Sequence, residues 1–415
     1  MKILILTQYF WPEAFRVNDL ATGLRERGHR VEILTGMPNY PDGRRFPGYG
    51  WLKPSRDKYE GVPVTRVPLV ARGRSGRWRL AANYLSFMLS ASVLGPLRCR
   101  GDVDLVFVYQ PSPVTVGLPG LLFGRLKNAP VMLWIQDLWP DTLEALDVLP
   151  GKLTRRTVAW LSNATYRRCD RLLVQSRSLG KRLEDREMRP GSVLYFPNWA
   201  ESYYRPLEPG TVVDPLPGPR RFRVLFAGNL GTAQSLETIV DAAARLEHVR
   251  DLNWVIVGDG HMRGWLQAEI AARGLGAKFT LVGRRPAEAM PAHFAHADGL
   301  LVTLRPDPVF ALTIPSKLQS YLACGRPVVA AINGEGAEIV NEARAGVSCA
   351  AGDSAALADA VMRLYRLEPR EREEMGRHGR AYYESNFERG HLLDQLEAWM
   401  IELTNRTDAD TRSGR

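Results

Sequence analysis

Residues 310–330, FALTIPSKLQSYLACGRPVVA, guide the interpretation of the whole chain. Pro315 suits the first turn of a helix, because the amide that proline lacks would be unpaired there. Nothing interrupts a helix over residues 316–323, and Gly325 is a typical residue just beyond a helix end. The apolar run at residues 328–332 is typical of a parallel strand covered on both faces. The stretch therefore predicts a loop, a helix, a tight turn and a buried strand.

The start of the predicted helix is a candidate anion site. A helix N-terminus exposes unpaired backbone amides and the positive end of the helix dipole. Ser316 and Lys317 belong to this first turn, so a phosphate group could bind there. An ordinary αβ unit with a solvated lysine has the same pattern, and the stretch alone leaves both interpretations open.

The composition narrows the class of protein. A chain of 415 residues favours two domains over one compact core. Its four cysteines lie far apart, which argues against a zinc site or a disulfide framework and suits a reducing cytosol. The formal net charge of +10 favours an anionic partner. No nucleic-acid-binding motif accompanies this charge, so we expect no nucleic acid partner.

Strands and helices alternate in both halves of the chain. Residues 2–7 and 29–34 are predicted strands, with a predicted helix at residues 17–27 between them. The pattern restarts with a strand at residues 222–226, after a proline-rich stretch at residues 206–219. Such units predict parallel sheets that bind ligands at the carboxyl ends of their strands. We expect an α/β protein of two doubly wound, Rossmann-like domains that face a cleft.

The restart sets the predicted domain boundaries. Residues 1–200 form the N-terminal domain, residues 201–220 a linker and residues 221–400 the C-terminal domain. A helix around residues 380–400 is expected to pack back on the N-terminal domain. Residues 401–415 are predicted to be disordered.

Two long segments lack the alternating pattern. Residues 38–63 are rich in Pro, Gly and Tyr, and they are predicted to be an irregular excursion. Residues 371–400 are predicted to be helical throughout.

One segment of the N-terminal half is apolar on nearly all sides. Residues 80–97 carry only a narrow polar stripe, which indicates a helix that is buried or touches a membrane. The preceding residues combine several arginines with Trp78, a composition typical of a membrane interface. A core helix beside a solvated arginine loop explains the same pattern. Contact with the inner membrane surface from Arg72 to Leu97 is therefore one of two open interpretations.

Three loops of the second half could hold a nucleotide diphosphate. The first, residues 228–231 (GNLG), follows a strand, and its glycines would let the backbone approach a phosphate closely. The second begins at Gly283, and the third is the stretch around Lys317. Because these loops follow successive strands, they should meet at one sheet edge and neutralise a diphosphate leaving group.

Other chemistries have weaker support. The glycines of GDGHMRG at residues 258–264 are spaced one residue too far apart for a dinucleotide fingerprint, so a tight turn is favoured over NAD binding. His293 and His296 have no third ligand of a suitable kind nearby, so no metal is expected. The sequence contains no G-x-S-x-G motif.

Eight short motifs are shared with one enzyme family. They are TQYFWPE (7–13) with Arg16 and Asn18, WIQDLWPD (134–141), FPNW (196–199), FAGNLG (226–231) with Gln234, VGDG (257–260), PSK (315–317), ACGRPVVA (323–330) and GEGAEIV (334–340). Jointly they make the chain, up to about residue 400, similar to the GT-B-fold retaining glycosyltransferases of family 4. Within that family it resembles the colanic-acid, capsule and O-antigen group that includes L-fucosamine transferases.

The resemblance implies a retaining transferase of cell-surface polysaccharide synthesis. A sugar, expected to be an N-acetylated hexosamine or deoxyhexosamine, would move from a UDP-linked donor to a glycan or polyprenyl-diphosphate-linked acceptor. The nucleotide-sugar donor would bind the C-terminal domain and the acceptor the N-terminal domain, without a cofactor or a required metal. The expected location is the cytoplasm, at the inner face of the membrane.

The resemblance also assigns roles to individual residues. Lys317 would bind the diphosphate, whereas Glu13 and Asp137 would face the acceptor or the donor sugar; these three are the predicted catalytic residues. The predicted donor-binding residues are Gly228, Asn229, Gly231, Gln234, Gly283, Arg284, Thr313, Ser316 and Ser320.

Two departures from the family pattern concern the donor site. The broad family carries two glutamates eight residues apart, the second of which binds ribose, where this chain has Leu312 and Ser320. The family also has an Arg and a Lys in the first donor loop, where Asn229 and the neutral pair 234–235 stand here. More of the leaving-group charge is therefore expected to fall on Lys317 and Arg284.

Two alternative functions stay open on the sequence alone. A Rossmann-type NAD-dependent oxidoreductase or epimerase needs a glycine fingerprint after the first strand, and the loop at residues 8–16 (QYFWPEAFR) has none. A non-catalytic sugar-nucleotide-binding protein on the same scaffold would explain the missing glutamates.

Overall fold

A computed structural model describes residues 1–50, 56–73, 76–145, 151–218 and 220–413. The chain forms two compact units, one of Met1–Pro197 with Gly390–Arg415 and one of Asn198–Arg389. Each unit is built on its own sheet.

The first unit alternates strands and helices. Its strands are β1 (Lys2–Thr7), β2 (Arg30–Gly36), β3 (Arg56–Tyr59), β4 (Val62–Val67), β5 (Leu105–Gln110), β6 (Val131–Ile135), β7 (Arg171–Val174) and β8 (Val193–Tyr195). Its first helices are α1 (Arg16–Glu26), α2 (Arg77–Arg98), α3 (Gly117–Lys127), α4 (Asp141–Ala145), α5 (Gly151–Tyr166) and α6 (Arg177–Glu184). The sheet order is β3-β4-β2-β1-β5-β6-β7-β8, and only the β3–β4 pair is antiparallel among the described strands.

The second unit repeats this plan. Its strands are β9 (Phe222–Ala227), β10 (Leu252–Val257), β11 (Phe279–Gly283), β12 (Gly299–Thr303), β13 (Val328–Ala331) and β14 (Gly346–Cys349). Its helices are α7 (Leu236–Arg245), α8 (Arg263–Ala272), α9 (Met290–Ala295), α10 (Pro308–Ala311), α11 (Ser316–Ala323), α12 (Glu335–Glu342), α13 (Ser354–Arg366) and α14 (Pro369–Asn386). The sheet order is β11-β10-β9-β12-β13-β14, with parallel neighbours throughout.

The predicted fold class is confirmed, and the opening stretch shows why. Helix α11 has the predicted bounds, and Gly325 beyond its end has a φ of 63°, a left-handed conformation that favours glycine. Strand β13 is buried along its whole length and pairs with β12 and β14 in parallel. Helix α11 connects β12 to β13, so its N-terminus lies on the side of the carboxyl end of β12. Such folds bind ligands at that edge of the sheet.

The segment at residues 38–63 is more ordered than predicted. It contains β3, a four-residue strand with the sequence RDKY that pairs with β4 in antiparallel fashion. A short polar strand at a sheet edge has no apolar alternation to mark it. Residues 51–55 of this segment lie outside the described residues.

The predicted linker at residues 201–220 belongs to the second unit. Leu216 is buried in the core of that unit, and Asp214 forms an ion pair of 2.5 Å with the buried Arg223. The end of the proline-rich stretch is therefore anchored to the second unit through these two residues, although most of the stretch is exposed. Pro219 lies outside the described residues.

The C-terminal segment differs from its prediction in two ways. The predicted continuous helix is two helices, α14 and α15 (Arg389–Ser413), and the boundary between the units falls at the junction. Helix α15 packs on the first unit, where Glu397 pairs with Arg27 at 3.3 Å and with His29 at 2.9 Å. Because α15 continues to Ser413, the disorder predicted from residue 401 is not found up to that residue.

Candidate active site

Two glycine loops, at the carboxyl ends of β9 and β10, are packed together and hydrogen-bonded to each other. Gly228 and Gly258 have φ angles of 143° and 147°, which side chains disfavour. A Cβ atom on Gly258 would lie 1.9 Å from the carbonyl oxygen of Gly228. The amide of Leu230 donates to the carbonyl of Asp259 at 2.9 Å, and the amide of Met262 donates to that of Leu230 at 3.0 Å. The first predicted donor loop is therefore fixed by its neighbour.

The loop after β11 joins the same edge. The amide of Gly258 donates to the carbonyl of Gly283 at 3.0 Å. Gly228, Gly258 and Gly283 thus form a row along three adjacent strands, as predicted for the first two loops. The side chain of Arg284, next in the chain, is exposed.

Lys317 reaches the first loop from the start of α11. Its Nζ atom donates to Oε1 of Gln234 at 2.6 Å and lies 3.8 Å from the ring centroid of Phe226. A Cβ atom on Gly228 would be 3.3 Å from this Nζ. The structure therefore brings together Gly228, Gln234 and Lys317, three of the residues predicted from the sequence.

Lys317 has no counter-charge nearby among the residues that the structure describes. Within the part of the chain that the structure describes, no carboxylate forms an ion pair with it. Burial lowers the pKa of Lys317 to about 7, because desolvation disfavours the ammonium form. A multiply charged anion placed here would stabilise the ammonium and would be stabilised by it.

Gln234 is itself held in place. Its backbone carbonyl accepts a hydrogen bond of 2.6 Å from Oγ1 of Thr303, the last residue of β12. Its amide donates to the carbonyl of Gly231 at 3.0 Å. Sequence reasoning missed Thr303 and Phe226, because both resemble ordinary core residues of apolar strands. The only available signal was that Thr303 is the polar residue at the ligand-binding end of its strand.

The hydroxyl groups of the opening stretch serve mainly the local backbone. Thr313 Oγ1 donates to the carbonyl of Phe310 at 3.0 Å, and Ser320 Oγ lies 3.5 Å from the carbonyl of Ser316. The Ser316 side chain is exposed in the first turn of α11. Their contacts with a donor stay predictions.

Two exposed polar side chains lie close to Gly231 of the first loop, one from that loop and one from the loop after β10. A Cβ atom on Gly231 would lie 2.8 Å from Nδ2 of Asn229 and 3.6 Å from Cε1 of His261. Asn229 was predicted as a donor-binding residue, whereas His261 was assigned only to a tight turn. The loop pairing, which the glycine spacing does not reveal, places the imidazole beside the donor loop.

Glu13 organises the loop after β1 in the first unit. Its Oε1 accepts hydrogen bonds of 2.7 Å from the amides of Asn39 and Tyr40, and its Oε2 accepts one of 3.2 Å from the amide of Phe10. The side chain is only 2% exposed. Burial raises the pKa of Glu13 to about 7, although the three amides favour the carboxylate. These bonds make Glu13 a positioning residue, and its contact with a sugar stays a prediction.

Asp137, which follows β6, presents a different environment. No described residue donates a hydrogen bond to its half-buried carboxyl group, and burial raises the pKa of that group to about 7. Its backbone carbonyl accepts from Nε2 of Gln110 at 3.0 Å, which anchors the peptide. A carboxyl group that titrates near neutral pH is suited to transfer or share a proton.

Metal ligation has no support in the described part of the chain. No three His, Cys, Asp or Glu side chains among the described residues come close enough to share an ion.

The two units match two glycosyltransferase domain families. Residues 14–199 match the model of the glycosyl transferase 4-like domain, and residues 221–366 match that of glycosyl transferases group 1. With two parallel-sheet α/β units, these matches place the chain among the GT-B glycosyltransferases. They give no support to the oxidoreductase alternative.

Curated proteins with named activities are similar to this chain at 27% identity. The chain is 27% identical over 340 residues to the putative colanic acid biosynthesis glycosyl transferase WcaI of Escherichia coli, covering 78% of this chain and 82% of that one. It is 27% identical over 399 residues to the 2-deoxystreptamine N-acetyl-D-glucosaminyltransferase of Streptomyces fradiae, covering 87% of each.

Solved structures share the fold over nearly the whole chain. Sucrose-phosphate synthase from Thermosynechococcus elongatus superposes with a TM-score of 0.70 at 17% identity, covering 98% of this chain and 99% of that one. Anabaena HepE superposes with a TM-score of 0.68 at 16% identity, covering 97% of this chain and all of that one.

Proposed function

We propose that this protein is a retaining glycosyltransferase that moves a sugar from a nucleotide-diphospho-sugar to a glycan or polyprenyl-diphosphate-linked acceptor. The observation that carries the proposal is the ammonium of Lys317, which lies against a glycine loop at a helix N-terminus without a protein counter-charge among the described residues. Loop amides, a helix N-terminus and an ammonium together suit a diphosphate.

The reaction balances without a redox partner. The bond between the sugar C1 and the diphosphate oxygen breaks, and a bond from C1 to the acceptor hydroxyl oxygen forms on the same face of the sugar. The acceptor proton passes to the departing diphosphate. Lys317 and the amides of Asn229 and Gly231 stabilise the charge that develops on that leaving group, because the amides of Gly228 and Leu230 already donate to the carbonyls of Val257 and Asp259.

The named relatives support a hexosamine donor that carries UDP. One relative is named an N-acetyl-D-glucosaminyltransferase, and Anabaena HepE was solved in complex with UDP. The E. coli relative, WcaI, is named for colanic acid biosynthesis, which supports a role in polysaccharide synthesis but not the narrower L-fucosamine transferase-like grouping.

The acceptor distinguishes two versions of this function. Two relatives are named for transfer to 2-deoxystreptamine and not to a lipid-linked acceptor. A lipid-linked acceptor is favoured by α2, which exposes an apolar face in the segment from Arg72 to Leu97. This face supports the part of the proposal that puts the protein at the inner membrane surface, with the cytoplasm as the proposed compartment. Residues 74 and 75 of this segment lie outside the described residues.

A ligand screen followed by a transfer assay tests the proposal. Nucleotide sugars are screened by thermal shift, since a ligand that binds only the native state raises its stability. The stabilising sugar is then offered with lipid-linked and soluble acceptors. Lys317→Ala should abolish transfer and keep the fold, whereas Lys58→Ala, at an exposed lysine of the first unit, should change neither. Binding without any transfer, even in a single turnover, would favour the non-catalytic alternative.

A further inference from the structure

Helix α2 is apolar on two opposite sides. One line of residues, spaced four apart, is buried: Asn83, Phe87, Ala91 and Gly95. A second line, two residues further along, is 49–63% exposed: Leu85, Leu89, Val93 and Leu97. Two residues correspond to about 200° around a helix, so the two lines lie on opposite sides. The helix therefore presents an apolar stripe to solvent over about three turns.

The buried line decides how such a helix could meet a bilayer. Among the described helices, residues 78–98 are long and apolar enough to span one. However, Phe87 and Ala91 pack in the core of the first unit with Leu34 and Val67. A spanning helix would lose this packing, whereas a helix lying in the plane of the interface keeps it.

The two helices next along from α2 also expose apolar side chains. Helix α3 packs beside α2, and α5 packs beside α3. On these two helices Leu126, Leu153 and Trp160 are 57–79% exposed, and Trp78 at the start of α2 is 90% exposed. Several large apolar side chains exposed on three packed helices indicate an interaction site.

All charged residues of the three helices have one sign. Residues 77–98, 117–127 and 151–166 contain no Asp or Glu, although the chain has 45 acidic residues. They contain eight basic residues: Arg77, Arg79, Arg98, Arg125, Lys127, Lys152, Arg155 and Arg156. A mixture of exposed apolar and basic side chains complements an anionic lipid surface, in which acyl chains lie beneath charged headgroups.

We propose that the outer side of α2, α3 and α5, called here the three-helix face, docks on an anionic lipid bilayer. A second copy is a poorer occupant, because a two-fold interface would bring the same basic residues together. Docking through this face would bring the protein to a lipid-linked acceptor, and only this consequence rests on the proposed function. Lipid binding itself needs neither donor nor acceptor.

Vesicle sedimentation of the full chain tests the charge component. Wild type should bind vesicles of phosphatidylcholine and phosphatidylglycerol, bind phosphatidylcholine alone weakly, and bind less at high salt. The triple variant Lys152→Ser, Arg155→Ser and Arg156→Ser should lower partitioning about 100-fold, since each basic residue contributes roughly five-fold. The matched control Arg363→Ser, Arg370→Ser and Arg377→Ser removes three exposed charges from the second unit and should leave partitioning nearly unchanged.

A second pair of variants tests the apolar component. Leu89→Ser with Val93→Ser should weaken vesicle binding at least ten-fold, a loss of about 1.4 kcal/mol. The double variant removes two apolar side chains that the bilayer would bury. Val213→Ser with Ile401→Ser, at exposed apolar positions elsewhere, should not. The stripe lies in solvent, so folding is preserved, and thermal unfolding of the same samples checks this.

Three outcomes would overturn the inference. Wild type could fail to bind anionic vesicles, the control triple could lose as much binding as the test triple, or the stripe variant could convert a dimer to a monomer with lipid binding unchanged. Retained UDP binding in a chain that ignores vesicles would leave the proposed transfer reaction intact. Vesicle binding without any nucleotide binding would instead reject the proposed function alone.

Discussion

The Nζ atom of Lys317 donates a hydrogen bond of 2.6 Å to the neutral Oε1 of Gln234. The ammonium thus has a hydrogen-bond partner but no compensating charge among the described residues, and burial lowers its pKa to about 7. A bound diphosphate would supply that charge and raise the pKa again. Nucleotide binding should therefore be linked to proton uptake by Lys317.

The first prediction is a pH dependence of UDP affinity. Above about pH 7 the free enzyme must take up a proton to bind, so affinity should fall up to about ten-fold for each pH unit. Calorimetry in buffers of different ionisation enthalpy should detect this proton. Lys317→Arg keeps a charge at every such pH, so its UDP affinity should be flat where that of wild type falls. A flat wild-type profile would contradict the linkage.

The second prediction concerns the paired glycine loops. Gly258→Ala would place a Cβ atom 1.9 Å from the carbonyl oxygen of Gly228 at a φ of 147°. The loops must separate, so we expect a destabilisation of about 3 kcal/mol and loss of UDP binding. Gly276→Ala is the control, since a Cβ atom there meets nothing within 4 Å and should cost no more than about 0.5 kcal/mol. Thermal unfolding with and without UDP measures both. Equal effects at the two positions would reject the role of loop pairing.

Sequence reasoning worked where local chemistry marks the ends of an element. Helix α11 was predicted to the residue because Pro315 and Gly325 bracket it. Helix α3, with the sequence GLPGLLFGRLK, has no capping side chain at its start, and its internal glycines serve packing: a Cβ atom on Gly120 would lie 2.4 Å from Val108. The contact of Lys317 with Phe226 depends on which strands become neighbours, and local sequence does not encode that.

The third prediction concerns Glu13 as a positioning residue. Glu13→Gln replaces one carboxylate oxygen with an NH₂ group, which cannot accept a hydrogen bond. Either the amides of Asn39 and Tyr40 or the amide of Phe10 then lose their acceptor. We expect a loss of about 1–3 kcal/mol of unfolding free energy, because a buried amide is left unpaired. Glu184→Gln, at an exposed glutamate of α6, should change the stability little. Denaturant unfolding measures both variants, and an unchanged midpoint for Glu13→Gln would reject the role.

The fourth prediction separates stability from activity at Asp137. The folded-state pKa of this carboxyl group is raised from 3.8 to about 7, so its contribution to stability is lost as the pH rises through about 7. Asp137→Asn should therefore stabilise the protein by about 2 kcal/mol above pH 7 and hardly at all near pH 4. If Asp137 acts on the acceptor or the donor sugar, the same variant should lose transfer and keep UDP affinity. A variant that gains stability with full turnover would leave Asp137 out of the reaction.

Helix α15 gives the chain an unusual order of completion. A ribosome releases the chain from its N-terminus, and domains generally fold as their sequence emerges. The second unit is complete once residue 389 has emerged, yet the first unit still lacks the helix that carries Glu397 to Arg27 and His29. The unit whose translation begins first is therefore completed last. A chain that ends at a premature stop codon near residue 390 would contain a complete second unit and an incomplete first unit.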